Sequence, residues 1–284
     1  MIRIEDLRVV FNEGTPDENI ALRNISLSVQ PGDFITVIGS NGAGKSTLLN
    51  AIAGTVAPRS GKIFLYDNRN NNHNDEHGNN RNRAAPGERD ITRIPEYCRA
   101  RYIGRIFQNP LLGTAGRMSL EDNMMLCFKK GYKGLRISLT NERRDQFRAL
   151  LARLEMGLED RLSDNVELLS GGQRQALTLL MTVISSPSLL LLDEHTAALD
   201  PRNAEIVMNQ TLRFAGEYGL TVIMITHNMA HALKYGNRLL MMDAGEIILD
   251  IGNEEKARLT TAGIVQRFRD IKKNDLANDE LLLS

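Results

Sequence analysis

The residues best suited to chemistry form a glycine-rich run, residues 39–47, which reads Gly-Ser-Asn-Gly-Ala-Gly-Lys-Ser-Thr. This run matches the pattern G-x-x-x-x-G-K-[ST], in which the backbone N–H groups of a tight turn surround phosphate oxygens. In that pattern a lysine, here Lys45, reaches the terminal phosphates, and a hydroxyl, here that of Ser46, binds Mg2+. The run therefore predicts a nucleoside triphosphate site built from Gly39, Ser40, Asn41, Gly42, Ala43, Gly44, Lys45, Ser46 and Thr47.

Two adjacent carboxylates supply a second group of candidates. The apolar run at residues 189–192 is followed by Asp193, which is placed to hold Mg2+ directly or through water. Glu194, the next residue, is placed to orient or deprotonate an attacking water. Neighbouring acids with separate roles favour hydrolysis over transfer to a bound substrate. The alternative is a pair of acids that only face solvent at the end of a strand.

The glycine-rich run needs a strand before it and a helix after it. Residues 33–38 are largely apolar and β-branched and lie between Pro31-Gly32 and the glycines, which predicts a buried parallel strand. Residues 45–53 are predicted to form a helix, whose first turn presents unpaired N–H groups and the positive end of its dipole to the run. This order disfavours the alternative, a glycine-rich turn that binds nothing.

The remainder of the chain predicts further strands around a polar insertion. Half of residues 68–83 are asparagine and none is apolar, which predicts a mobile surface segment. His73 and His77 lie within it without a third ligand nearby, so solvated histidines are favoured over a metal site. Apolar residues recur at three- and four-residue spacing in the stretch 119–168, which predicts helices. The predicted strands are residues 3–11, 22–29, 61–66, 102–107, 189–192, 220–226, 238–243 and 246–250.

These elements predict an α/β fold: a P-loop NTPase core with a mostly parallel sheet, an antiparallel β layer and an inserted helical subdomain. We assign residues 1–250 to one nucleotide-binding domain, with a core at 1–110 and 170–250 that resembles the RecA-like fold and the helical subdomain at about 111–169. A disordered Asn-rich insertion is placed at about 68–90, and a helical extension at 251–284.

Composition narrows the classes of partner and compartment. The 35 Lys and Arg residues balance 35 Asp and Glu residues, which removes any whole-chain electrostatic argument for a nucleic-acid partner. Cys98 and Cys127 have neither metal-ligand nor disulfide spacing, which is typical of a reducing compartment. No signal peptide is expected, and the most apolar stretch, 176–192, is interrupted by Ser185, Ser186 and Pro187. Any membrane-spanning part is therefore expected to come from other chains.

Five short motifs in a fixed order make the resemblance to a family specific. The chain resembles the nucleotide-binding subunit of an ATP-binding cassette (ABC) transporter over nearly all of residues 1–250, apart from the Asn-rich insertion. The motifs that follow the phosphate loop (residues 39–47) are Gln108, the signature segment Leu-Ser-Gly-Gly-Gln at 169–173, the acidic strand at 189–194, Ala-Leu-Asp at 198–200, and His227.

The resemblance implies roles for these residues. Two cassettes are expected to bind two ATP molecules head to tail, so that Ser170, Gly171, Gly172 and Gln173 of one complete the site of the other. Glu194, His227 and Gln108 are the implied catalytic residues, with Mg2+ held by Ser46, Gln108 and Asp193. Asp200 is expected at the dimer contact, and Phe11 is the candidate to stack on adenine, although a core role for it is equally compatible with its place near a strand end.

One position departs from the family pattern. His195 follows Glu194 where many relatives have a smaller residue such as proline. The histidine either tunes the catalytic site or packs beside it.

The resemblance also implies partners. They are transmembrane permease subunits, a second cassette and a solute-binding protein, with no nucleic acid, at the cytoplasmic face of the plasma membrane. The pattern is similar to a bacterial importer group with an amino-acid type of permease. The alternatives are an exporter or lipoprotein-releasing complex, a translation factor with two cassettes in one chain, and a DNA-repair ATPase with a long coiled coil. The single cassette and the lack of sustained heptads disfavour the last two.

Overall fold

The computed structural model describes residues 2–66, 88–128 and 139–282. The Asn-rich segment at 68–83, with His73 and His77, lies outside the described residues. The described strands are β1 (Ile2–Phe11), β2 (Asn19–Val29), β3 (Phe34–Gly39), β4 (Ser60–Tyr66), β5 (Glu88–Asp90), β6 (Ile103–Ile106), β7 (Leu189–Asp193), β8 (Thr221–Ile225), β9 (Arg238–Asp243) and β10 (Glu246–Ile251). The described helices are α1 (Lys45–Ala53), α2 (Glu96–Arg99), α3 (Leu120–Phe128), α4 (Asn141–Ala152), α5 (Gly171–Ile184), α6 (Pro201–Glu217), α7 (Met229–Lys234), α8 (Asn253–Lys256) and α9 (Thr261–Leu282).

A six-stranded sheet forms the centre of the fold, in the order β10-β9-β3-β8-β7-β6. All neighbours in it are parallel except the hairpin of β9 and β10. The register places Val37, Ile225 and Asp193 in one row across β3, β8 and β7. Because parallel strands end at the same edge, the phosphate loop, Glu194 and the residues after β8 meet there.

A four-stranded antiparallel sheet, in the order β2-β1-β4-β5, packs against one face of the central sheet. Its last strand corrects the prediction that the disordered insertion extends to about residue 90, because residues 88–90 pair with β4. An ion pair between residues that are distant in sequence accompanies this pairing: the guanidinium of Arg3 donates to both carboxylate oxygens of Glu88, at 3.1 and 2.7 Å. Glu88 is buried, so this charge pair ties the returning chain to β1.

Alternation along β7 divides the core into two layers. Leu189 and Leu191 pack toward the antiparallel sheet and α1, whereas Leu190 and Leu192 pack toward α5, α6 and the helices of residues 120–152. Successive side chains of a strand point to opposite faces, so a continuous apolar run supplies both layers. This explains why the buried strands lack an alternating pattern in the sequence.

In its described part, the stretch predicted to be helical, 119–168, contains α3, α4 and a 3-10 turn at Val166–Leu168. Residues 153–165 are irregular, and residues 129–138 lie outside the description. Phe147 of α4 is fully buried and meets the edge of Phe128 at a centroid distance of 5.8 Å. Among the residues that the structure describes, every helix is too short or too polar to cross a membrane.

The helix that carries the phosphate loop is closed at its far end by a buried arginine. Arg99 follows the Asn-rich segment, and its Nη1 donates to the carbonyls of Ala51 and Ile52 at 2.8 Å each. Its other nitrogens donate to Ile94 and Thr92. Burial lowers the pKa of Arg99 to about 10, so the guanidinium stays charged at neutral pH and complements the negative end of the α1 dipole.

We predict that Arg99→Met lowers the free energy of unfolding by about 2–4 kcal/mol, because it leaves buried carbonyls of α1 without a donor. Urea unfolding of the full chain measures this loss. Arg93→Met, which changes an exposed arginine of the same segment, is the matched control and should stay within about 0.5 kcal/mol of the wild type. Equal stability of the two variants would contradict the role of Arg99.

Candidate functional site

The phosphate loop connects β3 to α1 through positions that accept only glycine. Gly44, the N-cap of α1, has a φ of +93°, and a Cβ there would lie 2.5 Å from the carbonyl oxygen of Ala21. A Cβ on Gly39 would lie 2.0 Å from the carbonyl oxygen of Met242. Since Gly44 provides no side-chain cap, the first N–H groups of α1 are left for a ligand.

The amine of Lys45 lies over the loop rather than in solvent. Its Nζ donates to the carbonyl oxygens of Gly39 at 2.9 Å and Ser40 at 2.8 Å. Burial lowers the pKa of Lys45, and the nearby carboxylates of Glu194 and Asp193 oppose that shift. The cation is thus held where an anionic ligand of the loop would sit.

Asp193 joins the phosphate loop to the neighbouring strand. Its Oδ1 accepts a hydrogen bond from the hydroxyl of Ser46 at 3.2 Å. Its Oδ2 lies 3.7 Å from Nη2 of Arg105, whose guanidinium stacks on the ring of Phe107. A hydroxyl and a carboxylate oxygen therefore lie side by side at the start of α1.

Glu194 projects from a turn with unusual backbone geometry. Its φ is +49°, in the left-handed region, and its N–H donates to the carbonyl of Ile225 at 3.2 Å. The carboxylate Oε1 lies 2.5 Å from Nε2 of His227, which follows β8 and is half exposed. The turn thus brings the second acid and the histidine into direct contact.

A cavity of about 290 Å³ collects these residues at one place. It is lined by residues 41–47 of the loop together with Glu194 and His227. Phe11 also lines it and is 38% exposed, so this ring lies at the cavity mouth and not in the core. Candidates from four separate segments of the sequence therefore share one site.

Gln108 lies beside this site in a second cavity. That cavity, of about 440 Å³, is lined by both Gln108 and Asp193. The side chain of Gln108 is exposed. The structure thus brings the glutamine close to the acidic strand but not into the phosphate-loop cavity.

The signature segment and Asp200 lie away from the phosphate-loop cavity. Ser170 and Gln173 cap α5 reciprocally, with N–H to side-chain oxygen distances of 3.3 and 3.1 Å. A Cβ on Gly172 would lie 2.7 Å from Cγ of Asn203, whereas Gly171 has only Leu199 nearby. The segment therefore presents the start of a helix that does not line the phosphate-loop cavity of its own chain.

Asn203 is a residue that the sequence analysis missed. It packs on Gly172, and its backbone N–H donates to the carboxylate of Asp200 at 3.1 Å. This hydrogen bond is the largest cause of the lowered pKa of Asp200, which N-caps α6. Asp200 followed by Pro201 is a helix-start pattern that could have revealed the cap, but nothing in the sequence indicated the contact with Gly172.

His195 packs beside the site. It is 2% exposed, and its Nε2 lies 3.2 Å from Oγ1 of Thr211 in α6. Burial, with a smaller contribution from His231, lowers the pKa of His195 to about 4, so the ring is neutral at physiological pH. In the sequence, only the departure from the family pattern drew attention to His195, and nothing pointed to Thr211.

The chain is similar to known transporter subunits along most of its length. The family model described as ABC transporter matches residues 22–197. A tyrosine transport ATP-binding protein of Clostridioides difficile (strain R20291) is 37% identical over 268 residues, which cover 94% of this chain and 98% of that protein. The phosphonates import ATP-binding protein PhnC of Alcaligenes faecalis is 32% identical over 252 residues, which cover 88% of this chain and 82% of that protein.

The fold is also found among solved structures. The dimeric post-hydrolysis state of the ATP-binding cassette MJ0796, bound to ADP and Pi, matches with a TM-score of 0.69 and covers 89% of this chain and 99% of that chain. Its sequence identity is 24%, so this similarity concerns the fold, and it confirms the predicted α/β P-loop NTPase architecture.

The glycine-rich loop with its lysine, the paired acids and the family match lead to one conclusion: the chain belongs to the ABC transporter family, as an ATP-binding subunit with ATPase activity.

Proposed function

We propose that this chain hydrolyses ATP as one of two cassettes that drive a membrane transporter importing a small solute. The observation that carries the proposal is the meeting of Lys45, Glu194 and His227 at the phosphate-loop cavity. The signature segment lies outside that cavity. One chain therefore offers half of each of two ATP sites.

The oxygen donors at the start of α1 fit Mg2+. The hydroxyl of Ser46 and the carboxylate of Asp193 are hard ligands that lie 3.2 Å apart, and the amide of exposed Gln108 lies in the adjoining cavity. We assign these three residues to the metal. When bound, Mg2+ would neutralise charge on the β- and γ-phosphates.

The chain's own groups perform the remaining chemistry. Backbone N–H groups of residues 39–47 and the amine of Lys45 bind the phosphates, and Phe11 stacks on adenine. Glu194, which lines the phosphate-loop cavity, accepts the proton of the attacking water as a general base. His227, in contact with the Glu194 carboxylate, fixes its orientation and that of the γ-phosphate.

The second half of each ATP site comes from a second cassette. The capped start of α5, at residues 170–173, offers a hydroxyl, N–H groups and a helix dipole to a γ-phosphate. With Asp200 at the contact, head-to-tail pairing would carry this helix start onto the partner's phosphate loop. Closing and opening of the pair with ATP would then move the permease.

We predict that Glu194→Gln leaves ATP affinity within about twofold of the wild type and lowers the hydrolysis rate at least about 100-fold, because the general base is lost. Nucleotide titration and phosphate release measure the two quantities, and the variant should accumulate as an ATP-bound dimer. Glu205→Gln, an exposed acid of α6, is the control and should hydrolyse at the wild-type rate. Unimpaired hydrolysis by the Glu194 variant would refute the assignment.

An exposed apolar surface near Gln108 supports docking of a permease. Leu111 and Leu112 follow Gln108 and are 58% and 65% exposed, and Leu168 is equally open. The N–H of Glu167, next to Leu168, donates to the carbonyl of Gly116 at 2.9 Å, which holds the two segments together. In the family that this chain resembles, the loop after the glutamine accepts a helix of the permease.

We predict that the tagged chain recovers a membrane protein from a detergent extract of its source cells, and that Leu112→Asp reduces this recovery about tenfold or more. A charge on the apolar surface leaves the ATPase core intact but opposes docking. Tyr97→Asp, at a residue that is 78% exposed on α2, is the matched control. Recovery of the chain with ribosomes or DNA, and without a membrane protein, would contradict the transporter proposal.

The named relatives support import of a small solute. One is a tyrosine transport protein and the other a phosphonate import protein. We infer an amino acid as the substrate class, delivered by a solute-binding protein, with the cassette at the cytoplasmic face of the plasma membrane. Recognition of the solute would then belong to the other subunits.

We predict that a solute-loaded binding protein raises the ATPase rate of the chain reconstituted with its permease in proteoliposomes several-fold, because docking favours closure of the two cassettes. Tyrosine is the first probe and a phosphonate the second. The binding protein without solute is the control. No stimulation by any loaded binding protein would count against import.

A further inference from the structure

The turn that presents Glu194 needs support from its surroundings. A φ of +49° is seldom adopted by a glutamate and is strained, so neighbouring contacts must hold it. Two backbone hydrogen bonds do so in part: Glu194 N–H to the carbonyl of Ile225 at 3.2 Å, and Ala197 N–H to the carbonyl of Glu194 at 2.9 Å. The first fixes the strand side of the turn to β8, and the second closes the turn itself.

The next residue anchors the same turn to a helix. His195 does not line the cavity, is almost fully buried, and reaches Oγ1 of Thr211 with its Nε2 at 3.2 Å. The hydroxyl of Thr211 donates to the carbonyl of Val207 at 2.8 Å within α6. Because the Thr211 proton is used in that hydrogen bond, the Thr211 oxygen acts as the acceptor toward His195. The neutral imidazole of His195 is therefore the donor, through its Nε2–H.

The helix α6, which carries Thr211, is itself held in place by further hydrogen bonds. Gln210, adjacent to Thr211, donates from Nε2 to the carbonyl of Leu154 at 3.1 Å, and Arg213 donates to the carbonyl of Arg153. Leu154 and Phe214 are fully buried in the same core layer. α6 is therefore a fixed support, and a hydrogen bond to it restricts the position of the turn.

We propose that His195 is a positioning residue, which holds Glu194 in its left-handed conformation by donating from Nε2 to Thr211. The inference rests on the proposed role of Glu194 as the general base. Proline at this position would limit the backbone of the turn through its ring, whereas histidine limits it through a side-chain anchor. Without the anchor, the carboxylate would sample positions away from the attacking water, and only the chemical step would slow.

The test separates the two partners of the hydrogen bond. His195→Leu and Thr211→Val remove the donor and the acceptor, and each should lower kcat about fivefold to tenfold with KM and ATP affinity within about twofold. His195→Gln, whose Nε2 can replace that of the imidazole, and Thr211→Ser, which keeps the hydroxyl, should retain at least half of the wild-type kcat. Thr211→Val changes the shape of the side chain little, so it keeps the test open even if His195→Leu does not fold.

A matched control isolates the histidine from general helix effects. Thr182 of α5 makes the same kind of intrahelical hydrogen bond, from its hydroxyl to the carbonyl of Thr178 at 2.8 Å. Thr182→Val should therefore lower the melting temperature as Thr211→Val does but leave kcat unchanged. The proposal is overturned if His195→Leu or Thr211→Val, while folded, keeps kcat within twofold of the Thr182 variant, or if His195→Gln falls as low as His195→Leu.

The Glu194→Gln variant tells the two levels of inference apart. If Glu194→Gln loses turnover but folded His195→Leu and Thr211→Val keep a normal kcat, only the positioning role of His195 is overturned. Normal turnover in Glu194→Gln overturns the general-base assignment itself, and the positioning role with it.

Discussion

Three buried strands, β3, β8 and β7, pair in parallel with Val37, Ile225 and Asp193 in a single row, and the site depends on that register. The strands leave the sheet at one edge, so the phosphate loop, His227 and Glu194 emerge together although they are far apart in the sequence. A slip of one residue in β7 would turn Asp193 to the opposite face and carry Glu194 away from the loop. Because residues 189–192 are all leucine and would supply both core layers in either register, the register is defined by the pairing of β7 with β6 on one side and β8 on the other.

The helix α6 contacts the signature segment, the segment after α4 and the turn that carries Glu194. At its start, Asp200 holds Asn203, which packs on Gly172 of the signature segment. In its second half, Gln210 and Thr211 contact the segment after α4 and the histidine behind Glu194. The start of the signature segment and the turn that carries Glu194 are thus both in contact with one helix.

Much of the fold follows from local pattern. The predicted helix at residues 45–53 has those bounds in the structure, and the strands of the central sheet lie within a residue or so of their predicted places. Continuous apolar runs indicate buried parallel strands, and glycines mark turns that need a positive φ. Both patterns are local, and few other structures accommodate them. The prediction failed at residues 88–90, where a polar tripeptide pairs with β4 and Glu88 forms an ion pair with Arg3, a residue distant in sequence. The stretch at 119–168 was predicted to be helical; its described part is helical at α3 and α4 but irregular at residues 153–165.

The sequence by itself determined the chemistry that is available: a phosphate loop, two adjacent acids, a histidine after a strand, and a signature segment without a phosphate loop beside it. These residues are recognised by type and spacing, which are properties of the chain alone. Only the tertiary structure decided which of them share a cavity, where Phe11 lies, and what the unusual His195 contacts. Those outcomes depend on pairing across strands and on the packing of α6, and such contacts between distant residues leave no trace in local sequence.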